Sequence, residues 1–97
     1  MKKVRLDDEE IKAIKESIKA YDKDAKIFIF GSRADLSKKG GDIDILILSD
    51  KIDLDAELSI RAELLIKLGD RKIDIVRAKN PESSPFVSMI YEEAVEI

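Results

Sequence analysis

The sequence predicts a single α/β (α+β) domain over residues 1–97, a three-stranded sheet with helices packed against it. Three observations point there. Apolar residues recur at helical spacing in three stretches, separated by short runs rich in isoleucine, valine and phenylalanine. Gly31, Gly40-Gly41, Gly69 and Asn80-Pro81 punctuate the junctions. The length suits one two-layer core but not that core plus a separate substrate lobe, and no repeat or low-complexity tract divides it.

In chain order, Ile11, Ile14, Ile18 and Tyr21 form a helical stripe behind the acids Asp7 to Glu10, which favour the positive end of a helix dipole, so a helix is expected over 7–22. Lys26 to Phe30 reads as a buried strand running into a tight turn at Gly31, with a short helix following Gly31-Ser32. After the turn at Gly40-Gly41, Asp42 to Leu48 begins with alternating acids and becomes continuously apolar, as a central strand covered on both faces does. A second helix is expected from Leu54 to Leu68, with Leu58, Ala62 and Leu65 on one stripe and Ile60, Leu64 and Leu68 beside it. Gly69 closes this helix. Lys72 to Val76 makes a third strand. Ser84-Pro85 then supplies the N-cap and first residue of a last helix reaching Val95. The order is αβ(α)βαβα.

Composition removes whole classes of chemistry. With neither cysteine nor histidine in the chain, disulfides, thiolate or histidine zinc sites, histidine bases and Ser/His/Asp or Cys/His triads are all excluded. Catalysis here has to use carboxylates, lysines, hydroxyls or metal ions. The formal charge of −3 gives no footprint of a phosphate-backbone binder, although bound cations would shift that balance, so direct nucleic acid binding is disfavoured. The amino terminus leads into acids rather than an apolar core segment, and no apolar run spans a bilayer. The expectation is a cytoplasmic protein with no membrane association.

Residues two apart on a strand project to one face, so Asp42 and Asp44 point together where the strand leaves its glycines. Two adjacent carboxylates repel unless a cation joins them. Magnesium favours hard oxygen ligands and is usually held by one or two carboxylates plus substrate phosphates. Asp74, between Ile73 and Ile75, is costly in an apolar strand unless paired or ligating, and beside the first two it completes a three-carboxylate set. Such a set can hold two magnesium ions for in-line displacement at phosphorus. Gly31 permits close backbone approach, and the Ser32 hydroxyl with nearby N–H groups can receive phosphate oxygens, a role compatible with an N-cap. Arg33 suits either a phosphate clamp or a surface ion pair. No Walker A loop or Rossmann fingerprint is present, and the i, i+2 spacing is too tight for a glycosidase acid and base.

Gly31-Ser32, Asp42-Ile43-Asp44 and the later strand residue Asp74 resemble the signature of the nucleotidyltransferase superfamily that includes DNA polymerase beta. More narrowly, the chain is similar to the minimal nucleotidyltransferases of bacteria and archaea, and the resemblance runs from the strand at 26–30 to the closing helix. It departs from many relatives in lacking a further glycine soon after Gly-Ser and a serine just before Asp-x-Asp. Lys38 and Lys39, in the intervening loop, fit either phosphate charges or solvent. The resemblance implies a mixed sheet and metal-dependent transfer of a nucleoside monophosphate, ATP being the default donor, to a hydroxyl with release of pyrophosphate. It also implies a small all-helical partner, in many pairs a HEPN-type toxin, toward which this chain would act as antitoxin. A different class of function is a contact-only module that neutralises its partner without catalysis. Tyr21, Phe86 and Tyr91 fall on helical apolar stripes and read as core or interface. The last helix is apolar over more than one face, which suggests a surface for a partner or a homodimer.

Overall fold

The computed structural model describes residues 6–31, 42–69 and 72–97. Helix α1, Asp8–Lys19, opens on a capping box: the Asp7 carboxylate accepts from Glu10 N–H at 2.8 Å, and the Glu10 side chain accepts from Asp7 N–H at 3.0 Å. It ends three residues before the expected position. Asp22 forms a competing turn, accepting from the N–H of Asp24 at 3.0 Å and from the Ser49 hydroxyl at 2.6 Å, and its burial draws the chain out of the helix. Tyr21 therefore lies beyond the helix and is 46% exposed instead of extending its apolar stripe.

Strands β1 (Lys26–Phe30) and β2 (Ile43–Leu48) are antiparallel, and helix α2 (Leu54–Leu68) crosses over to β3 (Ile73–Ala78), which runs parallel to β2. Helix α3 (Pro85–Glu93) starts on its Ser84 cap as expected, but it stops two residues early. Val95 and Glu96 instead form β4, antiparallel to β1 opposite Ile29 and Phe28. The sheet is mixed, in the order β3-β2-β1-β4, with four strands where the sequence suggested three. The outer edge of β1 explains the change, because its main-chain groups need partners and a two-residue strand supplies them.

Alternation along the strands sorts the core into two faces. Ile27, Ile29, Ile43, Ile45, Ile47 and Ile73 face α1 and α2, meeting Ile14, Ile18, Ile60 and Leu64. Phe28, Leu46 and Leu48 face α3 and meet Val87. The central strand is thus covered on both faces along Ile45–Leu48. Helix α2 keeps its expected bounds, and Gly69 (φ 81°) caps it, but only one of its two apolar stripes packs. Ile60 and Leu64 are fully buried, whereas Leu58, Ala62 and Leu65 face outward. On α3, Val87 is buried, Ile90 and Ala94 pack with it, and Tyr91 sets its ring edge-on to Phe28 at 5.2 Å, while Phe86 and Met89 stay exposed. Among the described residues no helix is long and apolar enough to cross a membrane.

Candidate active site

The face that carries Leu46 and Leu48 under α3 changes character toward the start of β2, where the same alternation brings out Asp44 and then Asp42. Register decides what stands beside them. Asp44 pairs with Phe30 of β1 on one side and with Asp74 of β3 on the other, so Phe30, Asp44 and Asp74 form one row across three strands. One step earlier on this face stand Asp42 and, just ahead of β3, Lys72. The parallel ladder begins there, with Ile43 N–H donating to the Lys72 carbonyl at 2.9 Å. The structure thus sets Asp44 beside Asp74 and puts Asp42 on the same face, next to Asp44. Ser32 and Arg33, the short helix predicted after Gly31, Gly40-Gly41, Lys38 and Lys39 lie outside the described residues.

Gly31 fits this geometry closely. Its φ of 70° lies in the left-handed region, and a Cβ built there would collide with Oδ2 of Asp44, with Cγ of the same side chain only 3.2 Å away. The bare backbone of the turn is what allows the Asp44 carboxylate its position. That carboxyl is held above the usual carboxylate range, first by burial, then by the charge of Asp74, a hydrogen bond shared with the Asp74 carboxyl, and the charge of Asp42. Lys72 pulls in the opposite direction. Two carboxyls set side by side at the half-buried end of a sheet are a site suited to a cation. The donor set is all oxygen, as magnesium requires. Among the described residues no group of three or more acidic side chains is drawn together closely enough to hold a metal by itself. The aspartates form an open row, and a cation resting on it would complete its shell with water and phosphate oxygens.

Arginines that sequence reading did not single out hold β3, and with it Asp74, in place. Arg61 of α2 donates to the carbonyl of Ile73, the residue just before Asp74. Glu57 bridges two arginines, accepting from Arg77 Nε at 2.6 Å and lying 3.5 Å from Arg61, while Arg77 also donates to the Ile52 carbonyl at 3.3 Å. The Arg61–Glu57 pair was visible as an i, i+4 spacing. Its reach to β3 depends on the crossover. An open recess of about 550 Å³ lies at the opposite end of the sheet, lined by residues including Asp22, Lys26, Ser49 and Lys79, and it does not touch Asp42, Asp44 or Asp74.

The described residues thus combine a mixed sheet, a glycine turn and an acid row drawn from adjacent parallel strands. Residues 12–97 match the family model described as polymerase beta, nucleotidyltransferase, and the chain belongs to that family. No match was found among curated proteins.

Proposed function

We propose that this protein transfers a nucleoside monophosphate, AMP from ATP by default, to a hydroxyl acceptor. The observation that carries this reading is the row of Asp44 and Asp74 with Asp42 beside it, under a glycine turn that leaves room for the central carboxylate. In the transfer, an acceptor oxygen attacks the α-phosphorus and forms the new O–P bond. The bridging P–O bond between the α- and β-phosphates breaks, and pyrophosphate leaves with the electron pair. The acceptor's proton passes to a carboxylate of the row. Asp42, Asp44 and Asp74 would hold divalent cations, two magnesium ions being the expected complement, which supply charge neutralisation at the attacking and leaving oxygens. Gly31, Ser32 and Arg33 are proposed to receive the phosphates.

The proposed partner is a small helical protein, HEPN-like in the toxin–antitoxin version of this reading, which either offers the acceptor hydroxyl or completes its binding site. The exposed Phe86 and Met89 on α3 support such a contact. The test is magnesium-dependent ATP binding and pyrophosphate release by the purified chain, with and without a small helical protein of the proposed HEPN-like kind. The expected result is release that needs metal and disappears in Asp42→Ala/Asp44→Ala. Tight partner binding with no release from either protein would replace the enzyme with the contact-only module.

A further inference from the structure

Lys72 lies one position ahead of β3, and the register that pairs Ile43 with Ile73 sets it opposite Asp42. Side-chain alternation gives it the same face as Asp74, two residues on. This face therefore has an ordered layout: Asp42 and Lys72 at the mouth, then Phe30, Asp44 and Asp74, then the apolar floor of Phe28, Leu46 and Val76 beneath α3. Lys72 is exposed, and its charge acts on Asp44.

A fixed cation at this position opposes the binding of a divalent metal to the same carboxylates. If its only role were to neutralise acids, it would work against the loaded site. The balance reverses when a nucleoside triphosphate arrives, because the triphosphate and the three carboxylates together carry more negative charge than two divalent cations cancel. A lysine ammonium on a flexible stem is a compact point charge suited to a phosphate oxygen that no carboxylate can approach.

We propose that Lys72 binds the phosphate tail of the nucleoside triphosphate at the mouth of the aspartate row, and so selects triphosphates over monophosphates. This assignment rests on the nucleotidyltransferase reading above. It makes two predictions of opposite sign for one substitution, which a surface lysine or a simple counter-ion does not.

The experiment compares wild type, Lys72→Gln and Lys72→Arg by titration calorimetry with three probes: Mn²⁺ alone, a non-hydrolysable ATP analogue with Mg²⁺, and AMP with Mg²⁺. Thermal unfolding checks that each variant is folded, as expected for an exposed position. In Lys72→Gln the ATP analogue should bind about tenfold more weakly, the loss of one charge-assisted contact. AMP should be unaffected, and Mn²⁺ alone should bind more tightly. Lys72→Arg should restore most of the analogue affinity. If Lys72→Gln tightens Mn²⁺ binding but leaves the analogue within twofold of wild type, Lys72 is only a counter-ion and the proposal is overturned. Wild-type protein that binds neither Mn²⁺ nor the analogue overturns the nucleotidyltransferase reading itself, a result distinct from a failure confined to Lys72.

Discussion

Gly31 and Asp44 constrain one another. The turn requires a positive φ, and the space where a Cβ would go is occupied by the Asp44 carboxylate. Gly31→Ala should therefore cost about 2 kcal/mol, combining left-handed strain with the need to displace a half-buried acid. Denaturant unfolding reads that loss, and weaker Mn²⁺ binding by the folded variant would show that the displaced carboxylate is a ligand. Asp44 also carries a pH signature. Its carboxyl titrates at a higher pH in the folded chain than in the unfolded one, so between the two values the native state holds the extra proton. Its contribution to stability is accordingly greatest in acid and declines as pH rises through the folded value. Asp22 runs the other way: the Ser49 hydrogen bond depresses its pKa, so its contribution is present at neutral pH and lost as pH falls through the folded value. Asp44→Asn isolates the first effect, since Asp22 is common to both proteins. In EDTA the variant should melt above wild type at pH 8 and lose that advantage toward pH 4, and magnesium should raise the melting temperature of wild type alone. Equal melting differences across the pH range would remove Asp44 as the source.

Among the elements, α2 separates what periodicity can and cannot say. Both of its apolar stripes were legible in the sequence, but only Ile60 and Leu64 reach the sheet, because a helix apolar around most of its circumference does not reveal which side meets the core. Leu64→Ala should destabilise by about 2–5 kcal/mol through the cavity it leaves. Leu58→Ala, on the outward stripe, should change stability by no more than about 0.5 kcal/mol. Comparable losses at both positions would contradict the packing described. The end of α3 escaped the sequence for a related reason: Val95 fits a helical apolar stripe, and what turns it into strand is a hydrogen-bonding partner on β1 far away in the chain. The acids divide in the same way. Asp42 and Asp44 share a face by local alternation and were readable directly. That Asp74 stands opposite Asp44, and not one step along, is set by the β2–β3 register, which no local pattern encodes. Lys72 carried a signal, being two residues before Asp74, but it gains meaning only once that register is known.

At the scale of the whole molecule, apolar surface remains on both sides of the sheet, with Leu58 and Ile66 on α2 and Phe86 and Met89 on α3. The α3 pair flanks the helix that covers the face bearing the acid row, so it is the better placed of the two to bring a partner to the chemistry. Phe86→Asp with Met89→Asp should leave the isolated domain's melting temperature within a few degrees of wild type while weakening capture of the proposed helical partner at least tenfold, as read by calorimetry. Unchanged capture would direct attention to α2.

The crossover through α2 has a consequence for how the molecule comes to exist. Asp44 and Asp74 are thirty residues apart and become neighbours only when the parallel pair closes, an entropically demanding step because the pairing is non-local. Closing it brings two carboxyls together against their mutual repulsion. Under the proposed function, a divalent ion that relieved this repulsion would act on assembly as well as on chemistry, because it would favour the closed crossover over every open form.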